Sequence, residues 1–270
     1  MTPDMPEVNS SPPAVALPPR AGQPPPWSLL DLGLFLGLGA LALVIAYVTV
    51  MLGYVSLSSL AGWHVPPEGI EETAFFSLAL QSVFYLLLFA ATYALVAFRK
   101  RLPFWRALKW RKPTALEVAG YFAAGIVMTA AVEYAPTILP DRSDFPLREL
   151  FTSPTVAYTV GAFAVFVAPL MEELIFRGVL FSIFEDRGGL GFAVVTTAVL
   201  FAGLHIPEYR GAWNHLFLLL LVGLVFSLAR GLTGSLAPSV ILHTAYNLSQ
   251  LTALYFGTEH FRAIHGVLLR

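Results

Sequence analysis

The stretch TVAYTVGAFAVFVAPLMEELIFRGVLF, Thr155 to Phe181, has Glu172, Glu173 and Arg177 as its only charges. A run of about 20 predominantly apolar residues spans a bilayer as a helix, so this segment predicts a transmembrane helix with three charges inside it. An ionised residue at the centre of a span costs roughly 2.5–3.5 kcal/mol, so three together imply mutual pairing and a function. Glu173 and Arg177 are one turn apart on one face and can form an intrahelical ion pair. Glu172 is turned away by about 100° and has no such neighbour. A lone carboxyl in an apolar wall suits a general base or acid.

The same reading extends outward. Further apolar runs near 28–53, 74–98, 115–138, 190–206, 213–230 and 236–257 join 155–181, giving seven spans in an all-α, polytopic transmembrane helical bundle. The run at 190–206 is short, so eight spans or one re-entrant segment is the alternative. Composition agrees, because 57% of the residues are hydrophobic and 12% are charged, about half the charged share of a soluble domain. Mean hydropathy is +0.71. A water-soluble chain of this length needs a polar skin, whereas one in lipid turns apolar side chains outward too.

Residues 1–26 hold nine prolines and few large apolar residues, which predicts a disordered tail. It is not read as a signal peptide, because the following apolar run far exceeds an h-region of roughly 7–15 residues and lacks a basic flank. Residues 27–258 form the helical domain, with the chemistry in 155–255, and 259–270 are read as a short tail. The tryptophans at 27, 63, 105, 110 and 213 fall at span ends or in loops, as interfacial anchors do.

The connection from Arg99 to Lys112 carries seven basic residues, while the preceding one carries Glu68, Glu71 and Glu72 without a Lys or Arg. The positive-inside rule puts the basic loop, and with it the amino terminus and the turns at 186–189 and 231–235, in the cytoplasm. A net charge of −1 gives no sign of a nucleic-acid partner. The absence of cysteine excludes disulfides, thiolate nucleophiles and Cys-ligated metals.

Two later spans hold further polar residues. One ends in Phe201-Ala202-Gly203-Leu204-His205, and the last contains His243-Thr244-Ala245-Tyr246-Asn247, with His243 and Asn247 on one helix face. Glu172 lies 16 residues before the turn at Gly188 and His205 lies 17 after it, so both sit roughly 25 Å from that turn. His243 and Asn247 lie 9 and 13 residues beyond Gly234, or about 14 and 20 Å in. Modest tilt brings all of them to one depth.

In these residues the chain resembles the CAAX proteases and bacteriocin-processing enzymes (the CPBP, or Abi, family), which include the type II CAAX prenyl endopeptidase. The likeness rests on three ordered motifs: Glu-Glu-x-x-x-Arg at Glu172 to Arg177, Phe-x-x-x-His at Phe201 to His205, and His-x-x-x-Asn at His243 to Asn247. It covers roughly 155–255. The resemblance implies endoproteolysis of a membrane-associated protein or peptide in the plasma (inner) membrane of a prokaryote. It implies a catalytic set of Glu172, Glu173, His205, His243 and Asn247, in which a glutamate activates water with the help of His205, and His243 and Asn247 stabilise the oxyanion. Arg177 and Phe201 would support that site. Two readings of the chemistry stay open. Glu172, His205 and His243 could hold a divalent metal such as zinc with an open water position, or a glutamate-activated water with His and Asn donors could act without metal.

Plainer roles stand beside these. Glu173 and Arg177 could simply staple their helix, His205 could cap one at the interface, and His243 with Asn247 could link two helices. A lone acid in a span also suits a proton relay, so a non-enzymatic transporter or interaction protein is the second reading. Glu133 is taken to reach the outer interface, and His64, His215, His260 and His265 are taken as solvated.

Overall fold

A computed structural model describes residues 27–62, 73–135, 153–209 and 211–262. The proline-rich tail, Trp63, His64, the acids at 68, 71 and 72, and His265 lie outside them. Among the described residues the only regular structure is helix, with no strand. In lipid every backbone N–H and C=O must be satisfied within the protein, which a helix does locally.

The helix starts carry their own signals. Ser28 and Thr114 form capping boxes with Asp31 and Glu117 at the heads of α1 (Leu29–Ala61) and α4 (Ala115–Tyr134). Thr73 caps α2 (Ala74–Ala94), and Ser153 caps α5 (Pro154–Phe166), which has proline in its first turn. A short α3 (Phe104–Ala107) lies between α2 and α4.

After α5 come α6 (Ala168–Glu173), a π-helical stretch over Leu174–Leu180, and α7 (Phe181–Leu204). The run from Pro154 to Leu204 is 51 residues, about 76 Å if straight and more than twice the roughly 30 Å hydrocarbon core. It does not stay straight. Gly189 adopts φ 76°, ψ −178° inside α7, a conformation open to glycine at little cost, and the rings of Phe176 and Phe201 lie 5.3 Å apart. The chain has therefore folded back on itself, close to the expected turn at 186–189.

The bundle is completed by α8 (Trp213–Thr233) and α9 (Ala237–Gly257). Among the described residues five stretches are long and apolar enough to cross a bilayer, and the folded-back one accounts for two crossings. The seventh expected span, α9, falls outside that set, and it carries Ser239, His243, Asn247 and Gln250. Its neighbours are protein: α4, α5, α6 and α8 all pack against it. At its closest approach to α4, a side chain on Gly125 would come within 2.6 Å of the Ala245 methyl, and Thr129 donates to the Tyr246 carbonyl at 3.1 Å. Small residues let helices approach in this way where no hydrophobic effect drives them together.

The surface confirms an integral membrane protein. Leu60, Phe98 and Leu116 are each more than 80% exposed, with dozens of large apolar residues around them. In water each would forfeit about 1.5–3 kcal/mol.

One end of the bundle gathers polar contacts. Asp31 pairs with Arg99 and, at 2.7 Å, with Lys100, and the Trp27 N–H donates to Asp186 at 2.7 Å. Lys109 pairs with Glu185 at 2.9 Å, and the Leu236 N–H donates to the Lys109 carbonyl. The start of α1, the 101–114 connection and the turns near 186 and 234 thus share one end. Arg99 and Lys100 are not loop residues: they close a π-helical extension of α2, Leu95–Lys100, held there by Asp31. The predicted tail at 259–270 also begins packed, with Phe261 buried against Ala157 and the His260 ring 4.6 Å from Tyr255, tilted by 52°.

Candidate active site

Glu173 ends α6 and Arg177 sits in the π-helical stretch that follows it, both fully buried. The guanidinium donates to Glu173 Oε1 at 3.0 Å, to Ser227 Oγ at 3.2 Å and to the Gly223 carbonyl at 2.8 Å, and it lies 4.7 Å over the Phe201 ring. Arg177 therefore ties the end of α6 to α8 through one planar fork while its face rests on Phe201 of α7, a geometry lysine cannot reproduce. A second buried arginine, Arg230, donates to the Arg177 carbonyl at 3.1 Å. A π turn leaves such carbonyls short of their usual partner, and these turns recur at functional sites.

Glu173 Oε1 also meets His243 Nδ1 at 2.9 Å. Facing a carboxylate, Nδ1 is the donor, which fixes the tautomer and turns Nε2 away. That Nε2 stands 3.8 Å from Glu172 Oε2. The His243 ring is held between aromatic faces, stacked 4.7 Å from Phe226 and edge-on at 5.9 Å to Phe201. Phe201 thus touches Arg177 on one side and His243 on the other, and also lies 4.9 Å from His205.

Glu172, His205, His243 and Asn247 line one cavity of about 820 Å³, the size of a small-molecule or peptide site. Glu173 does not line it. His205, at the end of α7, engages the Phe201 carbonyl through Nδ1 at 2.8 Å, which leaves Nε2 with its lone pair in the neutral ring. Asn247 donates through Nδ2 to the Ala164 carbonyl at 2.8 Å. An amide nitrogen has two hydrogens, so one remains.

The cavity also takes in residues that the sequence did not single out. Glu208 lies 3.9 Å from His205 in the turn after α7. Beside it, the Tyr209 phenol is pushed above its ordinary value by burial and by Glu208, so it stays protonated. His215 and Glu133, assigned to solvent and interface by sequence, line the same space. Tyr85 of α2 donates to Glu172 Oε1 at 3.1 Å, so Glu172 has a partner, 87 residues away. No local spacing could reveal it.

A zinc ion on Glu172, His205 and His243 needs all three within about 2.0–2.2 Å of one point. Among the described residues no three His, Asp or Glu side chains converge as such a set. The residues as arranged do not fit a metal site.

Fold and site together define a helical membrane protein with a polar cavity between its helices, and comparison with known proteins gives that class a family. Residues 154–249, the segment that carries all three motifs, match the family described as type II CAAX prenyl endopeptidase Rce1-like. An uncharacterized 24.3 kDa protein of Escherichia coli is 37% identical over 79 residues, which is 28% of this chain. The chain spans only 36% of that relative's length. No solved structure matches.

Proposed function

We propose that this chain is an intramembrane endopeptidase that hydrolyses a peptide bond in a membrane-associated protein or peptide. The observation that carries the reading is the convergence of Glu172, His205, His243 and Asn247, from three segments, on one cavity.

Glu172 Oε2 is the base. It takes a proton from a water lying between it and the imidazoles, and the hydroxide adds to the scissile carbonyl carbon. His205 assists the same water through Nε2, which Glu208 Oε2 also faces at 3.9 Å. His243, carrying a proton on Nε2 as well as on the Nδ1 that Glu173 holds, and the remaining Asn247 N–H stabilise the oxyanion, with Glu173 holding the His243 ring in orientation much as a carboxylate does in a catalytic triad. Collapse breaks the C–N bond, and the proton held by Glu172 passes to the leaving nitrogen, so one water is consumed and an acid and an amine result. Glu173 and Arg177 are positioning residues in this scheme.

The test is a comparison of membrane-fraction peptides from cells expressing the wild type or Glu172→Ala. Uncleaved precursor should accumulate with the variant. Identical peptide profiles at equal expression would remove the protease reading.

The site of action is the plasma (inner) membrane of a prokaryote, with the amino terminus in the cytoplasm. Arg101, Arg106, Lys109, Arg111 and Lys112 all fall in the 101–114 connection, which supports this orientation. A reporter fused in that connection should be active only as a cytoplasmic fusion. Activity on the outer side alone would invert the topology.

A further inference from the structure

We propose that Tyr85 of α2 is a positioning residue for Glu172, committing one carboxylate oxygen so that the other faces the reacting water. This rests on the endopeptidase reading above.

A glutamate's terminal torsion is broad and roughly two-fold, so a carboxylate in a wide cavity has no intrinsic reason to present one oxygen. Here the choice is made by a chain of donors. Gln81 Nε2 donates to the Tyr85 oxygen at 3.1 Å, and the Tyr85 hydroxyl donates to Glu172 Oε1 at 3.1 Å. Because the Gln81 donor occupies the phenol's acceptor side, the hydroxyl hydrogen is directed at the carboxylate. Oε2 is left on the side of His243 Nε2, 3.8 Å away.

The phenol is itself immobilised. Tyr85 is 6% exposed, its ring lies parallel to Phe163 at 6.0 Å with an interplanar angle of 10°, and it packs against Ala168 and Met171. Met171 is the residue before Glu172, so the ring contacts the same turn of α6 that its hydroxyl addresses. A group on a rigid helix, locked by packing and by its own hydrogen bond, can hold a partner to the tolerance catalysis requires. Tyr85 and Gln81 both lie outside the matched segment 154–249. The amino-terminal helices therefore contribute to the site's chemistry as well as to its scaffold.

The test uses the full chain in lipid nanodiscs and the variant Tyr85→Phe, which removes the hydroxyl and keeps the ring. Infrared difference spectra, wild type minus Glu172→Gln, isolate the band of the Glu172 carboxyl group. The same subtraction in the Tyr85→Phe background should give a displaced band, because one oxygen has lost its donor. An unchanged band overturns the proposal whether or not the protein is a protease. On the membrane peptide that accumulates in Glu172→Ala cells, Tyr85→Phe should lower kcat by about 10²-fold with KM unchanged, as small misplacements of a reacting group do. A displaced band with wild-type kcat also overturns it. In the Glu172→Gln background Tyr85→Phe should have no further effect, since residues that act as a unit are non-additive. Should Tyr85→Phe prove poorly folded, Gln81→Met leaves the ring untouched. It should move the band and kcat in the same direction by less, and an unmoved band there counts against the proposal.

Discussion

Glu172→Gln is expected to reach the membrane at wild-type abundance and thermal stability, and to cleave its substrate about 10²–10⁴-fold more slowly, the usual loss on removing a general base. The substitution keeps the side chain's shape and its ability to accept from Tyr85, so folding has little to lose. It removes the lone pair that takes the water's proton, so the chemical step has much to lose. Purified Glu172→Gln that cleaves at the wild-type rate would sink the endopeptidase reading at its centre. The same preparation separates the metal question from the site question. Activity that disappears with a chelator and returns with zinc would recast Glu172, His205 and His243 as ligands or ligand supports, and the membership of the cavity would stand.

Glu173 supplies the contrast. It is adjacent to Glu172 in the chain and of the same residue type, yet it is fully buried, carries Arg177 and His243 on one oxygen, and has no hydrogen-bond partner among the described residues on the other. The i, i+4 spacing to Arg177 identified which acid would be paired and which would be open to the cavity. That part of the site was legible because it depends only on the 100° step of one helix. His243 and Asn247 on one face of α9 were legible for the same reason.

What could not be read is everything set by a second helix. Tyr85 and Gln81 are ordinary residues in an apolar span, and only the packing of α2 against α5 brings them to Glu172. Glu208 and His215 sit near helix ends, where solvated side chains are the default, but the turn between α7 and α8 folds over the cavity rather than into solvent. Arg99 and Lys100 counted as loop charges because composition cannot see Asp31, nearly 70 positions earlier. The membrane class was evident from hydropathy. The seventh span was harder, since α9 exchanges apolarity for the polar residues of the site and is covered by protein instead of lipid.

Arg177→Ala is expected to lower the amount of protein in the membrane as well as its activity. The guanidinium is 0% exposed and contacts Glu173, Ser227 and Gly223 together, so its loss leaves the buried Glu173 carboxylate without its cation and with His243 as its remaining partner. Breaking a buried pair by removing one partner costs about 3–5 kcal/mol, a large share of a typical total stability of about 5–15 kcal/mol. Arg177→Lys should recover only part of this, because a single ammonium cannot reach three acceptors in different directions. The informative variant is Glu173→Gln combined with Arg177→Met, which removes both charges. If the pair matters for folding mainly because one charge must not be left alone, the double variant should regain abundance that Arg177→Ala loses. It should not regain cleavage, because a neutral amide in place of the Glu173 carboxylate cannot hold the His243 imidazole in the same way. Thermal unfolding and quantitative blotting of membrane fractions read the first effect, and substrate cleavage reads the second. Full cleavage by the double variant would mean that Glu173 has no part in positioning His243. Abundance as low as that of Arg177→Ala would mean that Arg177 acts through its contacts to α8 rather than through its charge on Glu173.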